Sequence, residues 1–210
     1  MRNRIVVFTA IALAGCASNQ PEVKWISVKN TDEFTDVSSC KVTVGSLYTN
    51  KNVYTEVGKY YPFIEQVNGQ LRVGLQSGGL QSGGQYKIPV GNAQLRIDSN
   101  KAWDISISET PLDLAPTFAN FKPAYLDNLS DDQKAMVAAS YESAMEVSAQ
   151  AMSPFTATTG EKAEKIVKEM LAGKSLKYRT VGLNQAASST GVYDLDMSLQ
   201  NALIDCGIEL

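Results

Sequence analysis

The chain of 210 residues contains no histidine. That absence removes histidine-dependent serine and cysteine hydrolases, imidazole zinc sites and the usual proton shuttle near neutral pH. Cysteine is scarce, with three residues and no Cys-x-x-Cys pair, so a thioredoxin-type redox centre is excluded. The 19 basic residues never gather into a run, which argues against a nucleic-acid partner. Residues 5–13 are apolar apart from Thr9, but they fall far short of the roughly 20 residues that cross a bilayer. No cofactor motif is present. The nearest approach to one is a tandem pentapeptide, Leu-Gln-Ser-Gly-Gly at 75–79 and again at 80–84. A phosphate cradle would need a helix N-terminus or a lysine-serine signature after the glycines. Here Gln85-Tyr86-Lys87-Ile88 follows and reads as a strand, so the repeat is read as a tolerant hairpin loop.

What is present at the start is an export signal. Arg2 and Arg4 precede the short apolar run, and Leu13-Ala14-Gly15-Cys16 places small residues before a cysteine. This tetrapeptide resembles the lipobox of bacterial lipoproteins; an ordinary secretory peptide with an incidental cysteine is the competing reading. The resemblance implies removal of residues 1–15, a diacylglycerol on the Cys16 sulfur and acylation of its new amino group. Several acyl chains at about 0.8 kcal/mol per buried methylene give durable attachment to a membrane. Ala17 follows the cysteine, where aspartate would resemble the inner-membrane-retained class. The implied location is thus the outer membrane, lipid-anchored and facing the periplasm. Cleavage leaves 17 basic against 22 acidic residues, a formal charge of −5. The sequence then divides into a lipidated tether, residues 16–24, and one domain over residues 25–210, long enough to bury a core.

Two cysteines remain besides Cys16. In an oxidising compartment Cys40 and Cys206 are expected to bond, stapling the first strand to the last helix; two buried free thiols are the alternative. Closing so long a loop is worth at most about 5 kcal/mol.

Hydrophobic periodicity gives the architecture. Segments 25–29, 41–44, 52–57, 63–67, 70–76, 85–90, 93–98 and 102–108 alternate or carry β-branched and aromatic residues, and turn-like residues separate them. Val67-Asn68-Gly69 marks a hairpin, because Asn and Gly tolerate positive φ. After a proline-bearing stretch at 111–123, Ser130 and Gln133 have the spacing of a capping box. That predicts a helix to about Met152, ending before Pro154. A second helix over 160–172 has Ala163, Ile166, Val167, Met170 and Leu171 on one face. On its other side Glu161 pairs with Lys165 and Glu164 with Lys168. Strands at 175–181 and 191–197 follow, then a short helix capped by Ser198. The fold class is α+β: an antiparallel, β-sandwich-like core, with two to three helices in the C-terminal half and a helical segment at about 130–172.

Candidate sites are sparse. Arg96 and Asp98 fall on one face of a strand, opposite Leu95 and Ile97. They form either a structural ion pair or a polar site with Arg179 or Asp104 beside it. Trp103 is expected in the core or over Arg96. Asp32, Glu33, Asp36, Asp98, Asp104, Glu109 and Asp113 could supply a glycosidase-like carboxylate pair, but their spacing fits solvated turns better. Met136, Met145 and Met152 are spaced too widely for a Cu(I) site, which leaves core packing or an adaptable partner groove. Tyr48, Tyr54, Tyr60, Tyr61 and Phe63 are read as sheet packing, with a sugar or peptide platform as the alternative.

One order of short motifs carries a second resemblance. It comprises Trp25, the bend at 31–36, Leu95-Arg96-Ile97-Asp98, the helix through 165–171, Ser175-Leu176-Lys177-Tyr178-Arg179, Tyr193-Asp194-Leu195 and Leu203-Ile204-Asp205-Cys206-Gly207. It is similar to periplasmic accessory proteins associated with type VI secretion and, more distantly, to invasion-associated locus B proteins. The resemblance implies a small exported β-rich domain without catalysis, in which Arg96, Asp98 and Cys206 are structural positions. The functional expectation is a non-catalytic envelope lipoprotein that binds another envelope protein. A glycan- or small-ligand-binding module is the alternative, and a carboxylate-dependent hydrolase follows at a distance.

Overall fold

The structure is a computed structural model, described here for residues 23–49, 52–54, 59–78, 88–117, 130–181 and 189–210. The signal segment, Cys16, most of the tether and the second glycine pentapeptide lie outside the described residues, as do residues 55–57 and 85–87 of two expected strands. Ten strands are described: β1 Val23–Thr31, β2 Ser38–Thr49, β3 Asn52–Tyr54, β4 Tyr60–Val67, β5 Gln70–Ser77, β6 Asn92–Ile97, β7 Trp103–Ile105, β8 Phe155–Thr159, β9 Ser175–Val181 and β10 Thr190–Asp194. Three helices join them, α1 Asp131–Ala151, α2 Gly160–Ala172 and α3 Met197–Asp205. The fold is α+β, with two antiparallel sheets in a sandwich-like core and the helices in the C-terminal half.

The larger sheet runs β1-β2-β4-β5-β8, with β3 paired to β2; the smaller runs β10-β9-β6-β7. The turn between β4 and β5 is the expected two-residue hairpin, Asn68 at φ 50° and Gly69 at φ 78°, with Val67 opposite Gln70. Positive φ at both central residues matches the strand twist, as Asn-Gly permits. Inward residues of both sheets meet α2 and α3 in one cluster. Val42, Ile64, Val73 and Leu75 come from the larger sheet; Leu95, Ile97, Ile105 and Leu176 come from the smaller. Ile166 and Met170 of α2 and Leu199 and Leu203 of α3 close it. Each such side chain contributes about 1.5–3 kcal/mol on burial.

Several expectations needed correction. Residues 88–90 are not a strand: Pro89 has no N–H to offer a ladder, and the Val90 N–H donates instead to the Ser153 carbonyl (3.1 Å). The strand expected over 102–108 stops at Ile105. Ser106 and Glu109 form a reciprocal capping box there that folds residues 107–109 into a 3-10 turn. Strand β8 is additional, five residues between two helices with Pro154 before it and Gly160 (φ 63°) after it. The last helix is capped by Asp196, whose carboxylate accepts from the Ser198 N–H (2.8 Å). Ser198 Oγ is thereby left to accept from the Trp25 N–H of β1 (3.0 Å). Leu171 lies outside the buried face of α2 and is 41% exposed.

Helix α1 opens with the expected box: Ser130 Oγ accepts from the Gln133 N–H, and Gln133 Oε1 accepts from the Ser130 N–H. Two of the three methionines expected to pack lie outside the core, Met136 at 73% and Met152 at 54% exposed, while Met145 is half-buried. Alanine and serine surround this helix on all sides, so no wide apolar face exists to bury, and Ala149 is its one buried side chain among those described. Among the described residues no helix is long and apolar enough to cross a membrane.

Candidate interaction surface

Strand alternation makes the smaller sheet two-faced. Ala93, Leu95, Ile97, Leu176 and Tyr178 point into the core, so Gln94, Arg96, Lys177 and Arg179 point out. Register then arranges these outward residues in rows. Thr190 lies opposite Arg179, which lies opposite Gln94, which lies opposite Asp104. In the next row Val192 lies opposite Lys177, and Lys177 opposite Arg96. Gln94 ties the first row together: its Oε1 accepts from Arg179 Nε (2.8 Å) and Nη2, and its Nε2 donates to Asp104 Oδ1 (2.5 Å). The second row has no such link. Arg96 Nη2 donates only to the Ser99 carbonyl (3.0 Å), and neither Arg96 nor Lys177 makes an ion pair among the described residues. Val192 beside them is 58% exposed.

The expected pairing of Arg96 with Asp98 is therefore absent, and Asp98 does not share the strand face. Strand β6 ends at Ile97, and Asp98 turns into the left-handed region (φ 49°), which carries its carboxylate away from Arg96. That carboxylate accepts from the backbone N–H of Lys174 and Ser175 and from Ser175 Oγ (2.9 to 3.2 Å), locking the β6 turn to the start of β9. Partial desolvation pushes the Asp98 carboxyl up, but these donors and nearby Lys174 outweigh it and hold it below the ordinary range. Asp98 is a structural lock. Arg179 and Asp104 do meet, through Gln94.

Cys40 and Cys206 are joined by a disulfide across 166 residues. The staple differs from the expected one: Cys40 belongs to the second strand, where it faces Lys29 of β1 and Gln66 of β4. Cys206 sits just past α3 as its C-cap. An open concavity beside the bond is lined by Lys29, Thr31, Asp36, Gln66 and Asn68, among others.

The other face of the larger sheet holds charges that sequence reading missed. Glu65 and Arg72, opposite each other on β4 and β5, are 5% and 7% exposed. Arg72 donates from Nε to Glu65 Oε2 (2.8 Å) and from Nη1 to Asp113 Oδ2 (2.6 Å). Lys41 Nζ approaches Glu65 at 3.6 Å and lies over the rings of Phe63 and Phe155 at 5.2 and 4.9 Å. A cross-strand Glu-Arg spacing was visible in the sequence, but Asp113 is 41 residues away and only the fold brings it there.

The aromatic platform is overturned for the residues described. Tyr60, Tyr61 and Phe63 are buried. Tyr60 meets Tyr178 edge-on, and Tyr178 stacks on Tyr193, whose hydroxyl donates to the Tyr60 carbonyl (2.8 Å). Burial, with Tyr178 beside it, raises the Tyr60 phenol above its ordinary range. Tyr48 and Tyr54 have no described side chains. Trp103 sits against the core but not over Arg96; its indole N–H donates to Glu169 Oε2 (2.6 Å).

Among the expected carboxylates, Glu109 has the densest surroundings. Desolvation pushes its carboxyl up, but the Lys162 ammonium (2.8 Å), the Ser106 N–H and the Thr158 hydroxyl outweigh it and hold it low. Its side chain closes the capping box of a 3-10 turn, with no second carboxylate bonded to it among the described residues. Those residues also contain no group of three His, Cys, Asp or Glu placed to hold a metal ion. The described residues form an α+β two-sheet domain in which Arg96, Lys177, Arg179 and Val192 on the outer face of the smaller sheet are exposed. Comparison with known proteins finds no matching family model, curated protein or solved structure.

Proposed function

We propose that this chain is a lipid-anchored envelope protein whose folded domain binds another envelope protein through the outer face of the β10-β9-β6-β7 sheet, without catalysis. The anchor rests on the export signal and Leu-Ala-Gly-Cys, which favour attachment at Cys16 to the outer membrane on its periplasmic side. The observation that carries the docking surface is the facing pair Arg96 and Lys177. Like charges directly opposite on neighbouring strands destabilise a sheet. Here they stand in the open with Arg179 and the exposed Val192 beside them, an arrangement that folding alone does not require. It suits an acidic partner segment with an apolar side chain to set on Val192. Components of a secretion apparatus are the first partners to try, given the resemblance of the motif order to that of secretion-associated proteins.

Two experiments test the two halves of this reading. Radiolabelled palmitate is expected to enter the wild-type protein and not Cys16→Ser; unlabelled wild-type protein in the soluble cell interior contradicts the anchor. Co-purification of an acidic envelope protein is expected to weaken with salt and to vanish in an Arg96→Glu, Arg179→Glu double variant that still folds. A complex indifferent to both changes contradicts the docking face.

A further inference from the structure

We propose that a groove at the β7 edge of the smaller sheet, which shares Asp104 with its outer face, binds a neutral carbohydrate. The groove has a volume of about 570 Å³ and is lined by Asn100, Lys101, Ala102, Trp103, Asp104 and Glu169. That volume falls in the ordinary range of small-ligand sites, roughly 300–1,000 Å³.

Its floor is built rather than incidental. One carboxylate, Glu169 on α2, accepts from the Trp103 indole N–H through Oε2 (2.6 Å) and from Asn100 Nδ2 through Oε1 (2.7 Å). The ring and the amide, from the β6–β7 turn and β7, are thereby fixed against a helix 66 or more residues further along the chain. With its N–H already engaged, the indole has only its apolar ring surface to offer a ligand. Around it stand both kinds of hydrogen-bonding group. Asn100 retains its amide oxygen, Asp104 retains Oδ2 because Gln94 takes Oδ1, and Lys101 supplies an ammonium.

A pyranose matches this set, having a C–H face that lies on an aromatic ring and hydroxyls that donate and accept around its rim. The charges narrow the competitors. Asp104 and Glu169 oppose a phosphate or carboxylate ligand, and the Lys101 ammonium beside them opposes a cation, which favours an uncharged polyhydroxyl ligand. The sequence left this site unseen because Asn100, Trp103 and Glu169 carry no shared motif.

The test is titration of the full chain with chitotetraose, cellotetraose and maltotetraose, followed by intrinsic tryptophan fluorescence and by melting temperature. At least one sugar is expected to change the emission saturably and to raise the melting temperature through mass action. Trp103→Phe is expected to remove the emission change, since Trp25 is buried elsewhere in the core. Asp104→Ala, a surface change that leaves the Trp103 anchor intact, is expected to weaken binding about tenfold, the loss of roughly 1.4 kcal/mol. Arg96→Glu is expected to leave it unchanged. Silence with all three sugars overturns the proposal, and so does binding that survives both Trp103→Phe and Asp104→Ala.

Discussion

Both sheets of this protein carry charged residues on the face turned away from the shared core, and they treat them in opposite ways. On the larger sheet Glu65 and Arg72 are buried and matched by hydrogen bonds to each other and to Asp113 and by an ion pair with Lys41. On the smaller sheet Arg96, Lys177 and Arg179 are exposed, and two of them face each other unmatched. A buried charge must be neutralised for the fold to exist, whereas an exposed one costs little and stays available. The larger sheet spends its charges on structure. The smaller one leaves Arg96 and Lys177 without an ion pair among the described residues.

The largest expected effect breaks the buried side of this comparison. Arg72→Ala strands the Glu65 carboxylate in the interior, at a cost of about 3–5 kcal/mol in urea denaturation. Replacing the pair together with Leu and Met is expected to recover most of that loss, because burial without charge carries no such penalty. Next comes the covalent staple: Cys40→Ser with Cys206→Ser is expected to cost about 2–4 kcal/mol, and reductant should give a similar loss in the wild type. Gly74→Ala follows, since a Cβ there would sit 1.9 Å from the Thr156 carbonyl oxygen. The β5 and β8 backbones would have to part, with loss of melting temperature and of amide protection along β8.

A subtler effect concerns acid. The Asp98 carboxyl is held below its ordinary value of about 3.8, so its contribution is complete above that value and is lost as the pH falls through the lower folded value. Asp98→Asn is therefore expected to flatten the acid limb of the stability profile while leaving the limb above neutrality in place. The smallest effect sharpens the other side of the comparison. Lys177→Glu turns a like-charged cross-strand pair into an opposite one and is expected to stabilise the protein by about 0.2–1 kcal/mol. The same change should abolish partner binding. Stability and function moving in opposite directions at one exposed residue would mark a surface kept for contact.

Local patterns reached some of this organisation and stopped at definable points. The Asn68-Gly69 hairpin, the Ser130–Gln133 box and strand β9 were legible because each depends on residues a few positions apart. Cys40 and Cys206 were legible because setting Cys16 aside as the expected lipid site leaves just two cysteines to pair. Strand β8 was not, since five residues between two helices give too short a window for periodicity, and Pro154 reads equally as a helix stop. The exposure of Met136 and Met152 was hidden because an alanine-rich helix places no polar stripe opposite an apolar one. Asp98 misled by continuing the strand alternation in sequence while its backbone left the sheet. Arg72 with Asp113 and Trp103 with Glu169 are long-range contacts that only the folded topology creates.

The docking surface is tested most directly by a photoreactive amino acid placed at position 177 in living cells, compared with the same group at exposed position 161 on α2. Position 177 is expected to yield one dominant adduct with an acidic envelope protein, reduced by added salt and absent when Arg96 and Arg179 are reversed, while position 161 yields none. Equal adducts at both positions, or a dominant adduct at 177 that persists through charge reversal, would contradict it.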